Sequence, residues 1–150
     1  MSEEVDHVVD RSKWPEGPWD LEKEDKINWI DSETSLDCML VRNHAGAWCG
    51  YVGLPPQHPH HGMNYNVIPW DDYDVHGGLT FTSSCSGHIC HVPEDGRPDN
   101  VWWLGFDTNH SGDKAPGMPS FGRHEVYRTK EYVVNEVTNL AKQASSFMEA

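Results

Sequence analysis

The chain predicts a small α+β domain, with a mostly antiparallel sheet of about four to six strands and one C-terminal helix packed on it. Three observations lead there. Short apolar, β-rich runs recur between turn signals. Gly and Pro punctuate most of the 150 residues, with 13 and 10 of them. Only one segment, near the end, carries a sustained helical stripe.

Taken in order, residues 1–16 are acidic and lack apolar periodicity, so they read as a flexible arm ahead of a single domain over residues 17–150. Lys26 to Ile30 alternates apolar Ile27 and Trp29 with polar neighbours, a short strand. Cys38 to Arg42 and Trp48 to Val52 flank Asn43-His44-Ala45-Gly46, a hairpin signal. That register places Cys38 away from Cys49, which argues against a cross-strand disulfide and for free thiols. Residues 55–72 hold Pro55, Pro56, Pro59 and Pro69 and read as an irregular excursion. Val75 to Thr82 and Val101 to Phe106 read as strands, the second apolar enough for burial on both faces. Val133, Val137, Leu140 and Ala144 recur at three and four residues, giving the helix, with Thr129 as its N-cap.

Charge excludes several functions. The formal net charge of −13, from 11 basic and 24 acidic residues, offers no cationic surface for general nucleic-acid binding or for an anionic membrane. No apolar run approaches the roughly 20 residues that span a bilayer. Met1-Ser2-Glu3-Glu4 lacks the basic and apolar regions of a signal peptide, so a cytoplasmic protein is expected.

Two stretches carry candidate chemistry. Asp107, His110 and Asp113 follow a D-x-x-H-x-x-D spacing where a buried strand gives way to a loop, an edge that joins rigidity to solvent access. Asp74 and His76 stand two apart, on one face if the segment is a strand. Gly77-Gly78 then leaves room for close approach of a ligand or another backbone. If the two strands are neighbours, all five residues can gather at one rim. His76, Asp107, His110 and Asp113 are the candidate ligands for a divalent zinc, manganese or iron ion. The plain alternative is that Asp107 and Asp113 cap turns while the histidines sit in loops.

Other clusters are weaker. Cys85, His88, Cys90 and His91 pack soft ligands into seven residues, but without the two separated knuckles of a structural zinc site. His58, His60 and His61 alternate with proline, which predicts an exposed segment whose imidazoles do not converge. Its position beside Tyr65 and Trp70 suits a ligand-contact loop. Glu136 adjoins the helix stripe and is expected to pair with an arginine such as Arg128. Nucleotide-binding glycine loops and the serine-elbow and zinc-protease motifs are absent, so no nucleotide cofactor is indicated.

Gly50-Tyr51-Val52-Gly53-Leu54-Pro55-Pro56, Val75 to Thr80, Trp102 to Asp113 and the helix from Tyr127-Arg128 through Gln143 resemble a family of small proteins encoded by tailed bacteriophages. The likeness spans roughly residues 17–145. It brings no activity with it. Where that family more often has Cys-Ala, this chain has Thr108-Asn109, so no thiol chemistry is carried over. What the resemblance implies is an accessory protein in the cytoplasm of an infected host.

Two functions are therefore expected to compete. One is a small metal-dependent hydrolase or lyase on a small-molecule substrate, with Asp74, His76, Asp107, His110 and Asp113 as its catalytic groups. The other is a non-catalytic acidic protein that binds and inhibits a host protein through charge and exposed tryptophans.

Overall fold

The computed structural model describes residues 8–84, 89, 100–110, 112–119 and 125–148. Five strands, β1 (Lys26–Ile30), β2 (Asp37–Arg42), β3 (Trp48–Leu54), β4 (Phe81–Ser83) and β5 (Trp102–Asp107), form one sheet in the order β1-β2-β3-β5-β4. Every pairing is antiparallel. Helix α1 (Lys130–Ser146) packs on β2 and β3, so the protein is α+β.

Alternation divides the sheet into two apolar faces. Cys38, Leu40, Trp48, Val52, Leu54, Leu104 and Phe106 face α1, whose Val133, Val137, Leu140, Ala141 and Ala144 close that core. The opposite face collects Met39, Val41, Cys49, Tyr51 and Trp103, against which Phe81 and Ile89 pack. Both faces are buried, which explains why β2 and β3 read as continuous apolar runs. The helix comes closest at Gly50, where a Cβ would lie 2.5 Å from Val137 Cγ2. Only glycine permits that approach.

The hairpin pairs Val41 with Cys49 and Cys38 with Val52, and both cysteines are free and buried. At its turn, Asn43 Oδ1 accepts from the N–H groups of Ala45 and Ala47, each at 3.0 Å. Thr129 caps α1 by accepting from Tyr132 N–H at 3.1 Å.

Three expectations change. The strand expected over Val75 to Thr82 is confined to Phe81–Ser83. Gly77 and Gly78 both take positive φ, 72° and 79°, and Gly78 N–H bonds back to Val75 O in a turn. The excursion over 55–72 is irregular but not peripheral, because Ile68 joins the helix-side core and His58 and His60 are buried. The two imidazoles converge, with ring centroids 5.3 Å apart. The proline turns fold this segment under the end of α1 instead of holding it away.

The N-terminal segment is tied down from Val9 onward. Val9 is buried and its N–H donates to Asp25 Oδ2 at 2.9 Å. The anchor is Arg42, fully buried on β2, with its guanidinium 4.1 Å from the Trp48 ring centroid. Arg42 pairs with Glu22 at 3.0 Å and Asp25 at 3.3 Å, and donates to Gly46 O and the Tyr127 hydroxyl. Among the described residues no helix is long and apolar enough to cross a membrane.

Candidate functional site

The rim where β4 begins and β5 ends gathers most of the chemistry. β5 delivers Asp107 at its last position, and the chain then turns through His110 to Asp113. From the other side, the loop over 74–80 delivers His76. That loop is clamped by one stripe of α1. Gln143 exchanges two backbone hydrogen bonds with Asp74, Glu136 Oε1 accepts His76 N–H at 2.8 Å, and the Tyr132 hydroxyl meets His76 Nδ1 at 2.8 Å. Residues 132, 136 and 143 share a helix face, so a rigid ruler sets the position of the imidazole.

His76 Nε2 lies 2.8 Å from Asp113 Oδ2. The same oxygen accepts the His110 N–H at 3.1 Å, and Oδ1 accepts Arg128 Nε at 2.9 Å. Burial opposes ionisation of Asp113, but the bonds from His76, Arg128 and His110 outweigh it and hold the carboxyl below its usual range. An ionised Asp113 places the imidazole proton on Nε2, so Nδ1 accepts from the Tyr132 hydroxyl. The result is a directed chain: phenol to imidazole to carboxylate. Burial raises the phenol pKa further, helped by Glu136, so Tyr132 remains a proton donor.

A second imidazole–carboxylate pair stands alongside. His110 and His76 have ring centroids 6.1 Å apart, and His110 Nε2 lies 3.2 Å from Asp107 Oδ1. That contact is off the hydrogen-bonding direction, so among the described residues the buried His110 nitrogen has no well-formed partner. Asp107 is steadied by Asn109 N–H at 3.0 Å and Thr80 Oγ1 at 3.3 Å. His76 and Asp113 are largely covered, whereas His110, Asp107 and Arg128 have side chains 34%, 31% and 28% exposed. The outer pair and the guanidinium therefore face solvent at the mouth of a buried relay.

Of the five residues expected at the site, His76, Asp107, His110 and Asp113 come together and Asp74 does not. Asp74 is exposed and contributes only its backbone, because residues 74–80 form a loop to which strand alternation does not apply. Glu136 serves the His76 amide, while Arg128 is held by Asp113. Tyr132 and Thr80 were not anticipated. The recurrence of polar Tyr132, Glu136 and Gln143 along one edge of the helix was the available signal for the first.

Among the described residues, no group of three or more His, Cys, Asp or Glu side chains is placed to hold a metal ion. The donor atoms give the reason: His76 spends both nitrogens on Tyr132 and Asp113, and both Asp113 oxygens already accept bonds. A cation at this rim would have to break that relay. The cluster around Cys85, His88, Cys90 and His91 lies outside the described residues. Comparison with family models, with curated proteins and with solved structures found no match.

Proposed function

We propose that this protein is a small hydrolase or lyase whose acid–base centre is the pair of imidazole–carboxylate couples at the β4–β5 rim. The observation that carries this reading is the Tyr132–His76–Asp113 chain, two 2.8 Å bonds long, beside a second imidazole whose ring nitrogen has no well-formed partner. His110, the more open ring although its Nε2 is buried against Gly77, is the group to take a proton at Nδ1 from water or substrate, with Asp107 beside Nε2 stabilising the imidazolium that forms. The imidazolium formed on His110 then returns that proton to the departing group, while Tyr132, whose one hydroxyl proton is held by His76 Nδ1, keeps the inner couple in place beside it. Arg128 fixes the ionised Asp113 and offers its outer face to a polar or anionic portion of a small substrate.

The reading is supported by the packing of unlike polar groups into one rim, where each carboxylate has an assigned imidazole. The test is a panel of chromogenic small esters and phosphoesters, together with 2-hydroxy acids followed for dehydration, at pH 5 to 9. Turnover should fall by roughly two orders of magnitude or more in His110→Ala and His76→Gln, and stay near wild type in Asp74→Ala. Equal turnover in wild type and both histidine variants, with the variants folded, would overturn the assignment.

A further inference from the structure

We propose that the loop tip Tyr65–Val67–Trp70, flanked by Asp71 and Asp74, is a docking knob for a partner protein that offers an apolar pocket bordered by Lys and Arg. Trp70 is 91% exposed, Val67 64% and Tyr65 43%, all on one excursion of the chain. Such exposure of an indole removes none of its apolar surface from water, so the fold gains nothing from it. The surrounding loop is nevertheless strongly built. Ile68 and Tyr73, both 5% exposed, anchor it on either side of Trp70. Asp72 N–H closes a turn onto Pro69 O at 3.0 Å, and Tyr65 N–H donates to Thr82 Oγ1 at 3.0 Å. Behind Tyr73, His60 bonds the phenol at 2.6 Å and Asp72 at 3.3 Å.

A knob held this way loses little conformational freedom on binding, which is the property of an interface anchor. Charge selects the partner. Asp71 and Asp74, one and four residues after Trp70, are exposed, and no Lys or Arg occurs between Arg42 and Arg97. With a net charge of −13, a second copy of this chain or an anionic lipid surface would meet like charge. A basic rim around an apolar pocket meets both features.

The test uses two synthetic peptides with the same leucine-and-phenylalanine core, one flanked by lysines and one by glutamates, titrated into the full chain. The Trp70 indole N–H signal reports binding by NMR. The lysine peptide should bind about tenfold or more tightly than the glutamate peptide, weaken with added salt, and lose about tenfold on Trp70→Ser. Asp71→Asn with Asp74→Asn should weaken only the lysine peptide. Leu21→Ser, altering an 87% exposed leucine elsewhere, should change nothing. Unchanged affinity in Trp70→Ser would overturn the proposal. So would a concentration-dependent dimer that Trp70→Ser abolishes, or Trp70-dependent partition onto phosphatidylcholine vesicles.

Discussion

The His110 ring rests directly on Gly77: a Cβ at that glycine would lie 2.3 Å from Nε2 and 2.5 Å from Cδ2. Gly77 also sits at φ +72°, where side chains carry strain. The glycine therefore holds the second imidazole against the first. Gly77→Ala should cost about 1–3 kcal/mol and push His110 away from His76. Gly78→Ala, with φ +79° but open space around its Cβ position, carries the backbone strain without the clash. Urea melts paired with imidazole chemical shifts separate the two: both variants lose stability, and only the first shifts His110.

Asp113 makes the rim sensitive to acid. Its carboxyl is held below the ordinary value of 3.8, so its contribution is complete above that value and disappears as pH falls through the lower folded value. Asp113→Asn should cost about 3 kcal/mol at neutral pH, because Arg128 and His76 lose their charged partner. The gap between wild type and variant should narrow steadily below pH 4. Stability measured across pH 2 to 7 reads this directly, and a gap constant with pH would remove the ion pair from the account.

The sheet was legible because period-two alternation and turn chemistry are local. A short turn alone puts Leu40 or Val41 opposite Cys49, and the structure selects Val41. The candidate rim was half legible. Spacing exposed Asp107, His110 and Asp113, whereas alternation misplaced Asp74, since two consecutive positive-φ glycines replace the strand with a turn. Tyr132 was hidden because its meaning depends on a partner fifty-six residues away, and the helical stripe reads only as packing. The buried histidines were misread for a related reason: proline spacing gives local stiffness, but which way a stiff segment folds depends on the core beneath it.

His58 should act as a pH-dependent buckle between that segment and α1. Its Nε2 donates to Ala144 O at 2.8 Å while Nδ1 accepts His60 N–H at 2.9 Å, so the neutral ring is fully matched. Burial lowers its pKa below 6.5, and the nearby His60 and His61 push the same way. The unfolded chain then binds the proton more readily. Stability from this residue is complete above pH 6.5 and declines as pH falls through the folded value. His58→Gln should cost about 1–2 kcal/mol at pH 7.5 and flatten the decline below pH 6.5. An equally steep decline in the variant would place the titrating group elsewhere.

Arg42 is a test of how the N-terminal segment is held. Glu22 is opposed by burial yet stays ionised below its ordinary 4.5, through bonds from Tyr127, the Lys130 amide and Trp48, with the Arg42 charge beside it. Removing the guanidinium leaves Glu22 without its cation in buried surroundings and leaves Asp25 to its remaining pair with Arg11. Arg42→Met should therefore cost about 3–5 kcal/mol, and adding Glu22→Gln should recover part of it. A strictly additive double mutant would show that pairing with Glu22 contributes nothing to the loss.

The two thiols of the sheet should be chemically silent in the folded protein. Burial pushes Cys38 up to about 12, assisted by Asp31 and Asp37, and pushes Cys49 up to about 12 with Asp107 adding to it. The thiolate is the reactive form, so at pH 8 each is present at roughly one part in ten thousand. Access is a second barrier, since Cys38 is 1% exposed and Cys49 8%. Iodoacetamide labelling followed by peptide mapping should find both sites unmodified until denaturant approaches the unfolding midpoint. Their labelling should then rise together, because the two strands they occupy are paired and open as one unit. Cys49 labelling well before Cys38 would instead mean that the face opposite α1 opens independently, exposing Tyr51 and Cys49 while the helix-side core stays closed.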